Sequence, residues 1–64
     1  MNWTDSLDIA IALNDAYPKI NPCIVNFVDL KQMVIALNEF DDDVNRSSEK
    51  ILEVIQMNWI EEME

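Results

Sequence analysis

Pro18 and Pro22 stand four residues apart in a chain of 64 that contains no glycine. Proline fixes its own backbone torsion, removes an amide donor and pushes the preceding residue out of the helical region. No long regular element can run through this stretch, so the chain divides into one apolar-striped segment before the prolines and two after them. The first, WTDSLDIAIALNDAYP at 3–18, has helical spacing in Ile9, Leu13, Ala16 and Tyr17. Thr4 or Asp5 can cap it, with Asp8 three residues after Asp5 as in a capping box. Asp5 and Asp8 also suit the positive end of a helix dipole, and Pro18 ends the helix.

The connector after it, PKINPCIVNFVDL, has two readings. Asn21-Pro22 can open a single helical turn with Pro22 in first position. Alternatively, Ile24, Val25, Phe27 and Val28 have the side chains of a short extended stretch. A second helix is expected to begin at Asp29, with Gln32 as capping partner and Leu30, Met33, Val34, Leu37 and Phe40 as its apolar face. Ser47 or Ser48 caps a third, whose stripe is Ile51, Leu52, Ile55 and Trp59; Glu49 and Glu53 repel mildly across one turn. These segments predict a mainly α fold: one small three-helix domain over residues 1–64 with a short irregular or extended connector. Trp3, Tyr17, Phe27, Phe40 and Trp59 are expected to supply much of its core. A domain this small buries only about 60% of its unfolded surface, so its stability is marginal.

Charge narrows the function. The chain carries 13 acids, 4 bases and no histidine, for a net charge of −9. Nucleic acid, which needs a basic face, is excluded as a partner, and an anionic membrane surface would repel the chain. The fitting partners are cations, either metal ions or the basic face of another protein. No uncharged apolar run approaches the ~20 residues of a membrane helix, and the start lacks the pattern of a signal peptide, which points to the cytoplasm. Cys23 is the single cysteine, so an intrachain disulfide is impossible and a zinc or iron–sulphur site lacks its usual ligands. The absence of glycine excludes Gly-rich phosphate loops. No catalytic triad or Cys–His pair can be assembled. Paired carboxylates can do acid–base work, but a chain of this size has little room for a pocket that tunes them. No catalytic residue is assigned.

The remaining feature is EFDDDVNRSSEK at 39–50, where Glu39, Asp41, Asp42 and Asp43 crowd together. Charge runs usually mark a solvated surface. Here they are expected at the C-terminal end of the second helix, where each exposed acid costs a few tenths to about 1 kcal/mol. Glu61, Glu62 and Glu64 are expected to repeat this after the third helix. Asp41, Asp43 and Asn45 match the first three ligand positions of an EF-hand loop. That loop needs glycine at its sixth position and glutamate at its twelfth, where this chain has Arg46 and Leu52. The EF-hand reading fails, and a looser site for Fe²⁺, Mn²⁺ or Ca²⁺ stays open.

In this order and spacing, WTDS at 3–6, DAYP at 15–18, Pro22, Val25, Phe27, Asp29, FDDD at 40–43, EKILEVI at 49–55 and Trp59 resemble the IscX family of bacterial iron–sulphur cluster assembly. The resemblance spans nearly the whole chain. It implies a winged-helix-like arrangement of three helices. It also implies binding to a basic surface of the cysteine desulfurase, overlapping the surface used by frataxin and ferredoxin, and weak binding of ferrous iron through surface carboxylates. Asp5, Asp8, Asp15, Asp41, Asp42, Asp43, Glu49 and Glu53 match positions commonly acidic in the family. Lys19 and Asn21 depart from it, replacing acids common between Tyr17 and Pro22. Val44 replaces a frequent proline, which leaves the loop freer, and Cys23 has no counterpart.

The expected function is that of an acidic, monomeric adaptor or regulator. Asp8, Asp15, Glu39, Asp41, Asp42 and Asp43 would meet the partner, and Asp15, Glu39, Asp41, Asp42 and Asp43 would hold Fe²⁺ weakly. The alternative is an iron donor or sensor in which the metal is the function. Plainer roles stand beside these: Trp3, Tyr17 and Trp59 as core, Asp5, Asp8 and Asp29 as caps, and Cys23 as a semi-buried apolar residue.

Overall fold

The computed structural model describes residues 1–63. Its helices are α1 (Ser6–Ala16), α2 (Phe27–Ile35) and α3 (Glu49–Glu62), with 3₁₀ turns at Pro22–Ile24 and Val44–Arg46. The described residues contain no strand. The mainly helical expectation holds, whereas the winged-helix-like arrangement is not confirmed, because no β-wing is present among them.

The apolar stripes dictate the packing. Ile9, Ala10 and Leu13 of α1, Leu30 and Val34 of α2, and Leu52, Ile55 and Trp59 of α3 are buried with Trp3 and Leu37. The third helix is the hub, since α1, α2 and the first 3₁₀ turn all pack against it. Each large apolar side chain buried this way contributes about 1.5–3 kcal/mol. Of the five aromatic residues, Trp3 and Trp59 are fully inside, while Tyr17, Phe27 and Phe40 pack against the core half-buried. Trp3 meets Phe40 edge-on, with ring centroids 4.7 Å apart. Polar clasps support the packing: Asn58 Nδ2 donates to Ser6 Oγ at 3.2 Å, joining α3 to α1. Gln56 Nε2 donates to the carbonyls of Pro22 and Val25 at 2.8 and 3.0 Å, pinning the connector onto α3.

The helix ends differ from the expected ones in several places. Asp5 occupies the N-cap of α1 but makes no side-chain cap there. Its backbone is not in the extended conformation usual for a cap, and its carboxylate accepts the Asn2 N–H at 3.0 Å instead. The second helix begins two residues before Asp29. Asn26 is its cap, extended in backbone and accepting the Asp29 N–H at 2.8 Å, so neither Asp29 nor Gln32 caps it. That helix also stops at Ile35, so Leu37 and Phe40 reach the core from an irregular segment closed by Leu37 N–H to Val34 O and Phe40 N–H to Leu37 O, both 3.1 Å. Of the connector's two readings, the single turn is realised, with Pro22 first and Asn21 accepting the Cys23 N–H. Cys23 is exposed rather than semi-buried. Ser48, not Ser47, caps α3 by accepting the Ile51 N–H at 3.2 Å. Glu61 and Glu62 lie inside α3 rather than after it, and Glu64 lies outside the described residues.

Candidate functional site: an acidic groove and a latched acidic turn

Asp8, Ile11, Ala12 and Asp15 recur along one face of α1 at helical spacing. The segment after α2 lies across from this face and brings Glu39. Between them is an open groove of about 540 Å³, lined by Asp8, Asp15 and Glu39 together with Met1, Ile11, Tyr17, Asn38 and several alanine or leucine side chains. No lysine or arginine lines it. Three of the six residues expected to meet a partner thus share one concavity.

Asp41, Asp42 and Asp43 do not line the groove. They form a turn that clasps the N-terminal segment. The Met1 nitrogen donates to the Glu39 carbonyl at 2.6 Å, and the Asp41 N–H donates to the Met1 carbonyl at 2.7 Å. Met1 therefore bridges groove and turn. Trp3 adds two bonds: its backbone N–H reaches Asp42 Oδ2 at 3.1 Å, and its indole Nε1 reaches the Asp43 carbonyl at 2.8 Å.

The three consecutive aspartates hold different positions. Asp42 turns inward, accepting the Asp43 N–H through Oδ1 at 2.7 Å, with Arg46 Nη1 3.6 Å away. This is the one ion pair among the described residues. The Trp3 and then the Asp43 backbone N–H hold the Asp42 carboxyl below the usual carboxylate range, against the opposing effect of burial and with smaller help from Arg46 and the amino terminus. Asp43 caps the second 3₁₀ turn, accepting the Asn45 N–H at 2.9 Å. Asp41 is exposed. Because α2 ends at Ile35, all three lie beyond the last turn, within which a helix dipole acts. The placement of these acids against a dipole, read from the sequence, does not apply; Asp42 and Asp43 have local structural partners.

Among the described residues, no three Asp, Glu, Cys or His side chains converge closely enough to hold a metal ion. Asp15, Glu39, Asp41, Asp42 and Asp43 are not gathered into one coordination sphere.

The sequence reading missed a second surface. Ile24 is 80% and Val28 73% exposed, and an apolar groove of about 410 Å³ runs past Ile20, Ile24, Val25 and Met33 to Asp29 and Gln32. Of the two readings open for this connector, the single turn at Pro22–Ile24 is the one formed, and it leaves Ile24 outside. Among the described residues, no helix is long and apolar enough to cross a membrane.

The iron–sulphur cluster assembly family model matches residues 1–64. A Pseudomonas aeruginosa protein described as uncharacterized is 55% identical over 62 residues, covering 97% of this chain and 94% of its own length.

Proposed function

Because the chain belongs to the iron–sulphur cluster assembly family, we propose that it serves that process as an acidic adaptor, docking on a basic surface of the cysteine desulfurase and regulating it. The observation that carries this reading is the groove in which Asp8, Asp15 and Glu39 face a common space with no lysine or arginine in its lining and with the Met1 amino group held by the Glu39 carbonyl. Such a surface suits lysine and arginine side chains, whose apolar stems pack on residues like Ile11 and Tyr17 while their heads meet carboxylates. The net charge of −9 steers a basic partner toward it, and added salt screens that steering. The chain contributes charge and shape rather than a catalytic group, acts as a monomer in the cytoplasm, and competes with frataxin and ferredoxin for the desulfurase.

The test is calorimetry against the desulfurase with Asp8→Asn, Asp15→Asn and Glu39→Gln combined. Three exposed pairs at roughly 0.5 kcal/mol each predict about tenfold weaker binding. Unchanged affinity refutes the assignment.

The iron donor or sensor reading takes second place. A hard or borderline dication needs several oxygens converging at about 2–2.6 Å, and no three acidic side chains among the described residues do so. Ferrous iron is therefore expected to bind weakly and diffusely. Anaerobic Fe²⁺ titration followed by amide shifts decides: saturable one-to-one binding at micromolar affinity or better would reverse the ranking.

A further inference from the structure

Within the acidic turn Asp42 is the exception. Its side chain is 13% exposed, against 72% for its ion-pair partner Arg46. Both its oxygens are engaged, Oδ2 by the Trp3 N–H and Oδ1 by the Asp43 N–H. Trp3 is 2% exposed and rests edge-on against Phe40. The Asp43 carbonyl, which accepts the Trp3 indole N–H, also accepts the Arg46 N–H at 3.1 Å. One buried tryptophan thus grips two consecutive residues of the turn, through its backbone and through its ring. Asp42 has little left to offer a partner, while Asp41 and Asp43 on either side of it are exposed.

We propose that Trp3 and Asp42 form a latch that fixes the direction in which Asp41 and Asp43 face, and that Asp42 therefore acts in docking as a positioning residue rather than as a contact. This rests on the docking reading above, extended from the groove to the adjoining turn, which Met1 bridges to it. A latched turn presents the exposed carboxylates of Asp41 and Asp43 in one arrangement; an unlatched one keeps the charge but must be ordered on binding, which weakens association.

The distinction between charge and position can be measured, because Asp42→Asn and Asp42→Ala remove the same charge but differ in bonding. Asparagine keeps one acceptor oxygen and alanine none. Backbone ¹⁵N relaxation over residues 41–46 reports the turn, amide exchange at Trp3 reports the latch, and calorimetry reports desulfurase binding. Alanine is expected to loosen the turn more than asparagine and to bind about fivefold more weakly than asparagine, the factor one hydrogen bond is commonly worth. Equal affinity of the two variants would overturn the proposal, and if both bind equally more weakly than the parent, Asp42 acts through its charge. An alanine variant as rigid over 41–46 as the parent would also overturn it. Should that variant fail to fold, Trp3→Phe, which removes only the indole donor of the latch, is expected to loosen residues 43–46 and weaken binding; a rigid turn there has the same adverse meaning. Failure of the docking reading looks different, since the groove variant and every turn variant would then bind like the parent.

Discussion

Replacing Trp3 with phenylalanine removes the indole N–H that reaches Asp43 and leaves an aromatic ring in the core. The bond is short at 2.8 Å and part-buried, so its loss is expected to cost about 1 kcal/mol. Trp3 is 2% exposed. Aromatic side chains bury roughly 150–250 Å², so a smaller ring forfeits about 50 Å², or about 1 kcal/mol at about 25 cal/mol per Å². The combined loss of about 2 kcal/mol should lower Tm by about 8–16 °C in a domain this small. Trp59 provides the control. It is fully buried, and its Nε1 has no hydrogen-bond partner among the described residues. Trp59→Phe therefore loses ring area but no bond, and it relieves a buried unsatisfied donor. Thermal unfolding followed by circular dichroism should give the larger drop for Trp3→Phe. Equal drops, or a larger one for Trp59→Phe, would mean that the Trp3–Asp43 bond adds nothing to stability.

Ser48→Ala and Asn26→Ala each remove a side-chain cap on a helix N-terminus and should destabilise by about 1 kcal/mol, measured by urea unfolding. Asp5→Ala should not cost α1 a cap, because that carboxylate bonds Asn2 instead; a loss as large as at Ser48 would contradict the assignment. The lowered folded-state value of Asp42 sets a sign in pH. This carboxylate stabilises the fold above its unfolded value, and that contribution is lost as pH falls through the lower folded value. Acid unfolding of Asp42→Asn should accordingly be less steep than that of the parent; coincident pH profiles would rule out this linkage.

The helical architecture was legible because Leu13, Leu30, Val34, Leu52, Ile55 and Trp59 recur at one period, and that period is what the core selects. Pro18 likewise marked a true boundary, since a proline acts on the backbone whatever surrounds it. The far end of α2 was misread because Leu37 and Phe40 continue its apolar pattern, although the backbone leaves the helix at Ile35. Both still reach the core, so the pattern carried burial but not conformation. Asn26 could have been identified as a cap from its place three residues before Asp29, a signal masked by the β-type residues around it.

The site divides in the same way. Asp8 and Asp15 share a face by helical arithmetic alone, but the addition of Glu39 depends on how the segment after α2 crosses α1, which no local pattern encodes. Reading Asp41, Asp42 and Asp43 as one charged block overlooked that Trp3, nearly 40 positions away in sequence, turns the middle aspartate inward. Local spacing gives no sign of a partner so distant. The exposure of Ile24 was hidden for a related reason: apolar character predicts burial on average, and the single turn at Pro22–Ile24 overrides it.

Amide chemical-shift mapping of the chain titrated with the cysteine desulfurase tests the central claim most directly. Docking through the acidic groove predicts that the largest changes fall at Asp8, Asp15 and Glu39 and on the residues beside them, and that they fade as salt is added. Changes confined to the apolar surface around Ile24, Val28 and Met33 and insensitive to salt would contradict it.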